Sequence, residues 1–167
     1  MRTAPIVPNE EGNIHMRVET TRFGVVEIDE STLITMQSGP LGFDKFTRFC
    51  LIQHRTGASF RWLQSIEEPG LAFVVVEPSE YFSDYEIEIG EADIQKLQLA
   101  VEEDALVLTI LTIRDNGQSV SANLVAPIIV NNKNLTGAQI VLEDERYTAR
   151  HSLIMAQVEK APVAKVA

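Results

Sequence analysis

Catalysis or metal binding in this chain of 167 residues would fall to three histidines, one cysteine, Ser65 and adjacent carboxylates such as Glu67-Glu68 and Glu102-Glu103. His15, His54 and His151 stand in three separate regions, without the short fixed spacing that brings ligands around a metal. Ser65 lacks the GxSxG surround of a nucleophile elbow, and Cys50 lies inside an apolar run, where a buried inert thiol is expected. Glu67-Glu68 and Glu102-Glu103 are sequence neighbours in loops, and nothing sets them opposite one another as an acid and a base. Neither GxxxxGK[ST] nor GxGxxG occurs, so no phosphate-binding loop is predicted. These residues predict a protein without catalysis, cofactor or metal.

The stretch FRWLQSIEEPGLAFVVVEP, residues 60–78, holds the more informative polar pair. In a strand, Phe60, Trp62 and Gln64 share one face, and Arg61, Leu63 and Ser65 the other. Gln64 therefore continues an apolar row, where a carboxamide must find hydrogen-bond partners. Two readings stay open: Gln64 and Ser65 support the Glu67-Glu68-Pro69-Gly70 turn, or they contact a partner. A second amide cluster, SANLVAPIIVNNKN (121–134), sets Asn123, Asn131 and Asn132 around Pro127. Pro127 donates no ladder hydrogen bond and so marks a bend or a sheet edge. The asparagines form turns there, or flank an edge to which another protein adds a strand.

Charge narrows the partner classes. The net charge is −10, and residues 67–104 hold twelve acids against the single base Lys96. The remainder of the chain is close to neutral. Such a surface repels nucleic acid, whose binding requires neutralised phosphates, and suits either solubility or a basic protein partner. No apolar run reaches the roughly 18 residues of a membrane span. The leading MRTAPIVPNEEG lacks an apolar signal core, and one cysteine forms no internal disulfide, so a reducing cytoplasmic setting is expected.

The elements that must position these residues are mostly short strands. Apolar or alternating runs predict strands over 16–19, 25–28, 33–36, 48–53, 60–64, 72–76, 85–89, 106–114, 119–125, 128–130 and 138–142. SGPLG, RTGA, EEPG, DNG and NNKN punctuate them. Asp115-Asn116-Gly117 predicts a hairpin, because Asp and Asn tolerate φ > 0. One helix is expected from Glu91 to about Leu97, with acids in its first turn. The fold class is all-β, mostly antiparallel: a small barrel-like or sandwich domain with one short helix. Residues 1–15 are expected to form a loose leader, 16–155 the β domain and 156–167 a flexible tail.

Several stretches together resemble the FliW family of flagellar assembly factors: RFGVVEID (22–29), GPLGF (39–43), FRWLQSIEEPGLAFVVVEPSEYFSDYEIEI (60–89), ANLVAPIIVNN (122–132) and YTARHSL (147–153). The resemblance implies a cytoplasmic, non-enzymatic protein that binds flagellin. It also implies binding of the translational regulator CsrA, which relieves repression of flagellin synthesis. Leu63, Gln64, Ser65, Phe73, Pro78, Phe82 and Tyr85 match one signature, and Asn123, Pro127, Asn131 and Asn132 the other. Flagellin is expected on an apolar and amide surface that includes Phe43, Phe73, Asn123, Asn131 and Asn132. CsrA is expected to be steered by Glu67, Glu68, Glu77 and Glu80. The alternatives are a barrel holding a small apolar ligand, which needs a pocket of roughly 300 Å³, and an RNA-binding barrel, which needs a basic groove.

Overall fold

The computed structural model describes residues 7, 8, 12, 14–53 and 59–153. Its first three strands, β1 (Val7–Pro8), β2 (Ile14–Thr20) and β3 (Gly24–Asp29), form a small antiparallel sheet. Val18 and Thr20 turn inward while Arg17 and Glu19 face solvent, the alternation of a half-buried strand. Then come β4 (Ile34–Met36), β5 (Arg48–Ile52), β6 (Arg61–Ser65), β7 (Ala72–Val76) and the helix α1 (Glu91–Leu97). The chain continues through β8 (Ala105–Arg114), β9 (Ser119–Ala122), β10 (Ile128–Asn131), β11 (Thr136–Gln139) and β12 (His151–Leu153).

Seven of these strands close a ring in the order β10-β11-β4-β5-β6-β7-β8, with β8 returning to β10. All its pairings are antiparallel except β11 with β4. Ile34, Met36, Phe49, Leu63, Val75, Leu108, Ile128 and Val130 fill the interior, each at most 2% exposed. A ring of this size is just wide enough for side chains to fill it. Its centre is a packed core, which does not suit the small-ligand alternative.

β8 is long because it serves two sheets. Residues 105–108 pair with β10, and 111–114 pair with β9, which in turn pairs with β12. The change of partner is held at Asn123, whose N–H donates to the Ile110 carbonyl at 2.9 Å. The Asn123 carbonyl accepts from the Thr109 hydroxyl, and its side-chain Oδ1 from the Ala126 N–H. Outside the barrel, Val74, Val76, Leu111, Val120, Leu124 and Leu153 form a second core, bordered by Trp62, Phe82 and Tyr85. A third packs Leu97 of α1 on Ile129, Ile140 and Leu142.

The helix is where its first-turn acids place it, and the turn after β8 has φ of 53° at Asp115 and 55° at Asn116. Two expectations need correction. Residues 85–89 keep a strand's alternation of burial but join no ladder, and the strand expected at 138–142 runs instead from Thr136 to Gln139. The apolar period in both places comes from packing on the third core, through Ile87, Ile89, Ile140 and Leu142. β12 went unpredicted, because three residues are too few to show a period. His54 and the tail 156–167 lie outside the described residues.

A candidate partner-binding platform

Gln64 and Ser65 are fully buried at the end of β6. The Gln64 Nε2 donates to the carbonyls of Ser65, Pro69 and Leu71 at 3.0, 3.2 and 3.1 Å. The Ser65 Oγ accepts from the N–H groups of Glu67 and Glu68. The pair thus satisfies both ends of the 65–70 turn, which carries backbone groups that no ladder can reach. Pro69 also accepts from the Thr21 N–H at 3.0 Å, which seats the β2–β3 tip on the turn. Beside it, the Arg22 guanidinium lies 4.1 Å over the Trp62 ring and Phe23 meets that ring edge-on. With no exposed surface, Gln64 and Ser65 act on their surroundings through the turn they hold.

That turn reaches a third stretch. Glu67 Oε1 accepts from the N–H groups of both Thr47 and Arg48 at 2.8 Å, pinning the exit of loop 37–47. From the other side, Gln139 Oε1 accepts from the Leu41 N–H at 2.8 Å, and its Nε2 donates to the Ala126 carbonyl at 3.0 Å. GPLGF, LQSIEEPG and NLVAP, far apart in sequence, are therefore tied together around one loop. Within it, Phe43 N–H donates to the Pro40 carbonyl at 2.7 Å, and Gly42 has the φ of 86° that the third position of a type II turn requires. Leu41 and Phe43 project from this braced loop, 59% and 38% exposed. Phe43 stands edge-on to Phe73 at 5.4 Å, and Phe73 leans on the core residue Phe49. The result is an apolar platform on a rigid base. Gln139 carries no sequence signal for this role, since an amide in a short strand reads as an ordinary solvent-facing residue.

The remaining candidates lie elsewhere. Pro78 is buried at the start of a single 3-10 turn, and Phe82 meets His151 edge-on at 6.1 Å. Tyr85 donates its hydroxyl to the Leu124 carbonyl at 2.7 Å, and burial pushes its pKa up. Asn131, 2% exposed, donates to the Leu97 and Gln98 carbonyls at the end of α1 and accepts from the Lys133 N–H. Asn132 beside it is exposed. Asn131→Ala removes the Gln98 carbonyl's side-chain donor and leaves the Leu97 carbonyl only Asn134 Nδ2 at 3.3 Å, and is expected to cost about 1–2 kcal/mol. Asn132→Ala is expected to stay within about 0.5 kcal/mol. Urea unfolding of the two variants separates the cap from its neighbour.

The four steering candidates differ in what already engages them. Glu67 is held by its two backbone donors, and Glu77 pairs with Arg61 at 3.0 Å. Glu68 is exposed and accepts from the Gly70 N–H; Glu80 is exposed, with its pKa raised by partial burial and by Glu77. Cys50, opposite Gln64 on β5, is 1% exposed, and burial pushes its thiol up to about 11, so it stays protonated and unreactive. Among the described residues no cluster of three or more His, Cys, Asp or Glu could hold a metal ion. No helix there is long and apolar enough to cross a membrane.

Comparison with known proteins agrees with this architecture. The family model described as FliW protein matches residues 17–153. The chain is 35% identical to the flagellar assembly factor FliW of Natranaerobius thermophilus, over 87% of its own length and 97% of that protein. It is 38% identical to that of Geobacter sulfurreducens, over 88% and 92%. A crystal structure of the flagellar assembly factor FliW superposes with a TM-score of 0.76 at 34% identity, covering 81% of this chain and 95% of that one. With a closed seven-stranded barrel and a family match across nearly all the described β domain, the chain belongs to the FliW family of flagellar assembly factors.

Proposed function

We propose that this protein works in the cytoplasm, without catalysis, as a binding regulator that alternates between flagellin and a basic translational regulator of the CsrA type. Family membership supports the flagellar role. The observation that carries the flagellin part is the braced loop 37–47, which holds Leu41 and Phe43 exposed, with Phe43 edge-on to Phe73. Anchors fixed before docking lose little conformational entropy on binding, and buried aromatic anchors dominate interface energies. In the free state, Glu68 and Glu80 steer the basic regulator, with Glu67 and Glu77 engaged within the fold.

Isothermal titration with monomeric flagellin tests the platform. A Leu41→Ser, Phe43→Ser double variant is expected to bind at least about tenfold more weakly, a loss of about 1.4 kcal/mol. Unchanged affinity would remove the platform from the flagellin site. Association of the regulator with a Glu68→Lys, Glu80→Lys variant is expected to be slower and less salt-dependent than with the parent chain. Equal rates at low and physiological salt would leave these two acids with a solubility role.

A further inference from the structure

Residues 85–89 have the side-chain pattern of a strand without a strand's partners. Tyr85, Ile87 and Ile89 are half-buried, and Ile87 and Ile89 pack on the third core, whereas Glu86 and Glu88 are exposed. Alternation of this kind requires an extended chain. At its start, Tyr85 N–H donates to the Phe82 carbonyl, and Tyr147 Oη bridges the Glu86 N–H at 2.9 Å and the Asp84 carbonyl at 3.3 Å. Beyond those bonds, no described residue hydrogen-bonds the backbone N–H groups of Ile87, Glu88 and Ile89 or the carbonyls of 85–89. The next bonded group is the Gly90 carbonyl, which accepts from Asp93 and Ile94 in the first turn of α1. Both ends are thus fixed, one by Tyr147 and one by α1, and the middle presents a row of unused donors and acceptors. An open row of this kind is a template for another strand.

Period two decides which edge is open. Asp84, Glu86 and Glu88 direct their backbone groups to one edge, where Tyr147 already sits, and Tyr85, Ile87 and Ile89 direct theirs to the other. We infer that the Ile87–Ile89 edge accepts an extended segment of a basic protein partner as an added strand. The charge of the outward face selects that occupant. A segment paired here lies beside Glu86 and Glu88, with Asp84 and Glu91 also exposed next to them. Lysine or arginine at alternate positions would meet these carboxylates across the strands, and acidic residues would be repelled. This inference deepens the proposed binding of a basic regulator by giving it a docking edge distinct from the flagellin platform.

The test uses the full chain and two synthetic peptides, eight residues of alternating lysine and valine and eight of alternating glutamate and valine. Amide hydrogen exchange at Ile87 and Ile89 should be fast in the free protein and slow at least tenfold with saturating basic peptide, but not with the acidic one. A Glu86→Lys, Glu88→Lys variant alters only exposed positions, and should abolish the protection while leaving thermal unfolding unchanged. Slow exchange of these amides in the free protein would overturn the inference, because the edge would then be covered by the chain itself. Protection at other amides only, or equal binding of both peptides, would overturn it as well. Titration of the purified regulator is a separate arm. Peptide protection without regulator binding would sink the proposed partner and keep the edge, and regulator binding without protection of Ile87 and Ile89 would do the reverse.

Discussion

Gly39→Ala is expected to lower stability by about 3 kcal/mol, the upper end of the overpacking range. For a domain of this size that is a fall in Tm of roughly 6–12 °C. A Cβ at position 39 would collide with the backbone carbonyl oxygens of Phe43 and Phe46. The Phe43 oxygen is not free to retreat. The Phe43 carbonyl accepts from the Phe46 N–H at 3.0 Å, and Gly39 N–H donates to the Asp44 carbonyl at 3.0 Å, so the loop is tied across its own base. Flexible side chains could yield to an added methyl; backbone held by hydrogen bonds has to move as a unit. That movement would carry Leu41 and Phe43 with it, so loss of flagellin affinity should accompany loss of stability. Gly42→Ala is the informative comparison. Its position is open, with nothing within 4 Å, but its φ of 86° is unfavourable for alanine, so a cost nearer 1 kcal/mol is expected. Differential scanning calorimetry of both variants distinguishes a steric requirement from a conformational one. Equal and small shifts would mean that the loop is not braced as described.

Gln64→Leu should cost about 2 kcal/mol, a fall in Tm of roughly 4–8 °C, while nearly preserving side-chain volume. The loss is chemical, because three carbonyls converge on one Nε2 and leucine offers them nothing. Partial compensation limits the figure. Leu71 also accepts from the Ser65 N–H at 2.9 Å, and Pro69 from Thr21. The more discriminating readout is local. Glu67 extends from the turn that Gln64 holds and accepts from the Thr47 and Arg48 N–H groups. Exchange of those two amides should therefore quicken in the variant by more than global destabilisation predicts. Gln64→Glu should be worse than leucine, since it sets a buried carboxylate against carbonyl oxygens and so requires that carboxyl to take up a proton. Stability like that of the parent chain in both variants would show that the turn stands without the amide.

The sequence alone determined the strand-rich class and most of the strand positions, because a period of two is written in side-chain type wherever one face is buried and the other wet. It also determined α1, from its first-turn acids, and the hairpin at Asp115-Asn116, from residues that accept positive φ. Gln64 was legible as an amide needing partners, since an apolar row leaves a polar group no alternative. Tertiary structure decided what periodicity cannot carry. Ring closure depends on the short parallel pairing of Thr136 and Gly137 with Thr35 and Met36, which is too local to leave a pattern. The platform depends on Glu67 and Gln139 reaching loop 37–47 from opposite sides, and a side chain's reach across the fold has no signature in its neighbours. The same limit explains residues 85–89, whose alternation specifies an extended chain packed on one face. Whether a strand lies beside such a chain depends on the backbone groups of other segments, and those are brought near only by folding.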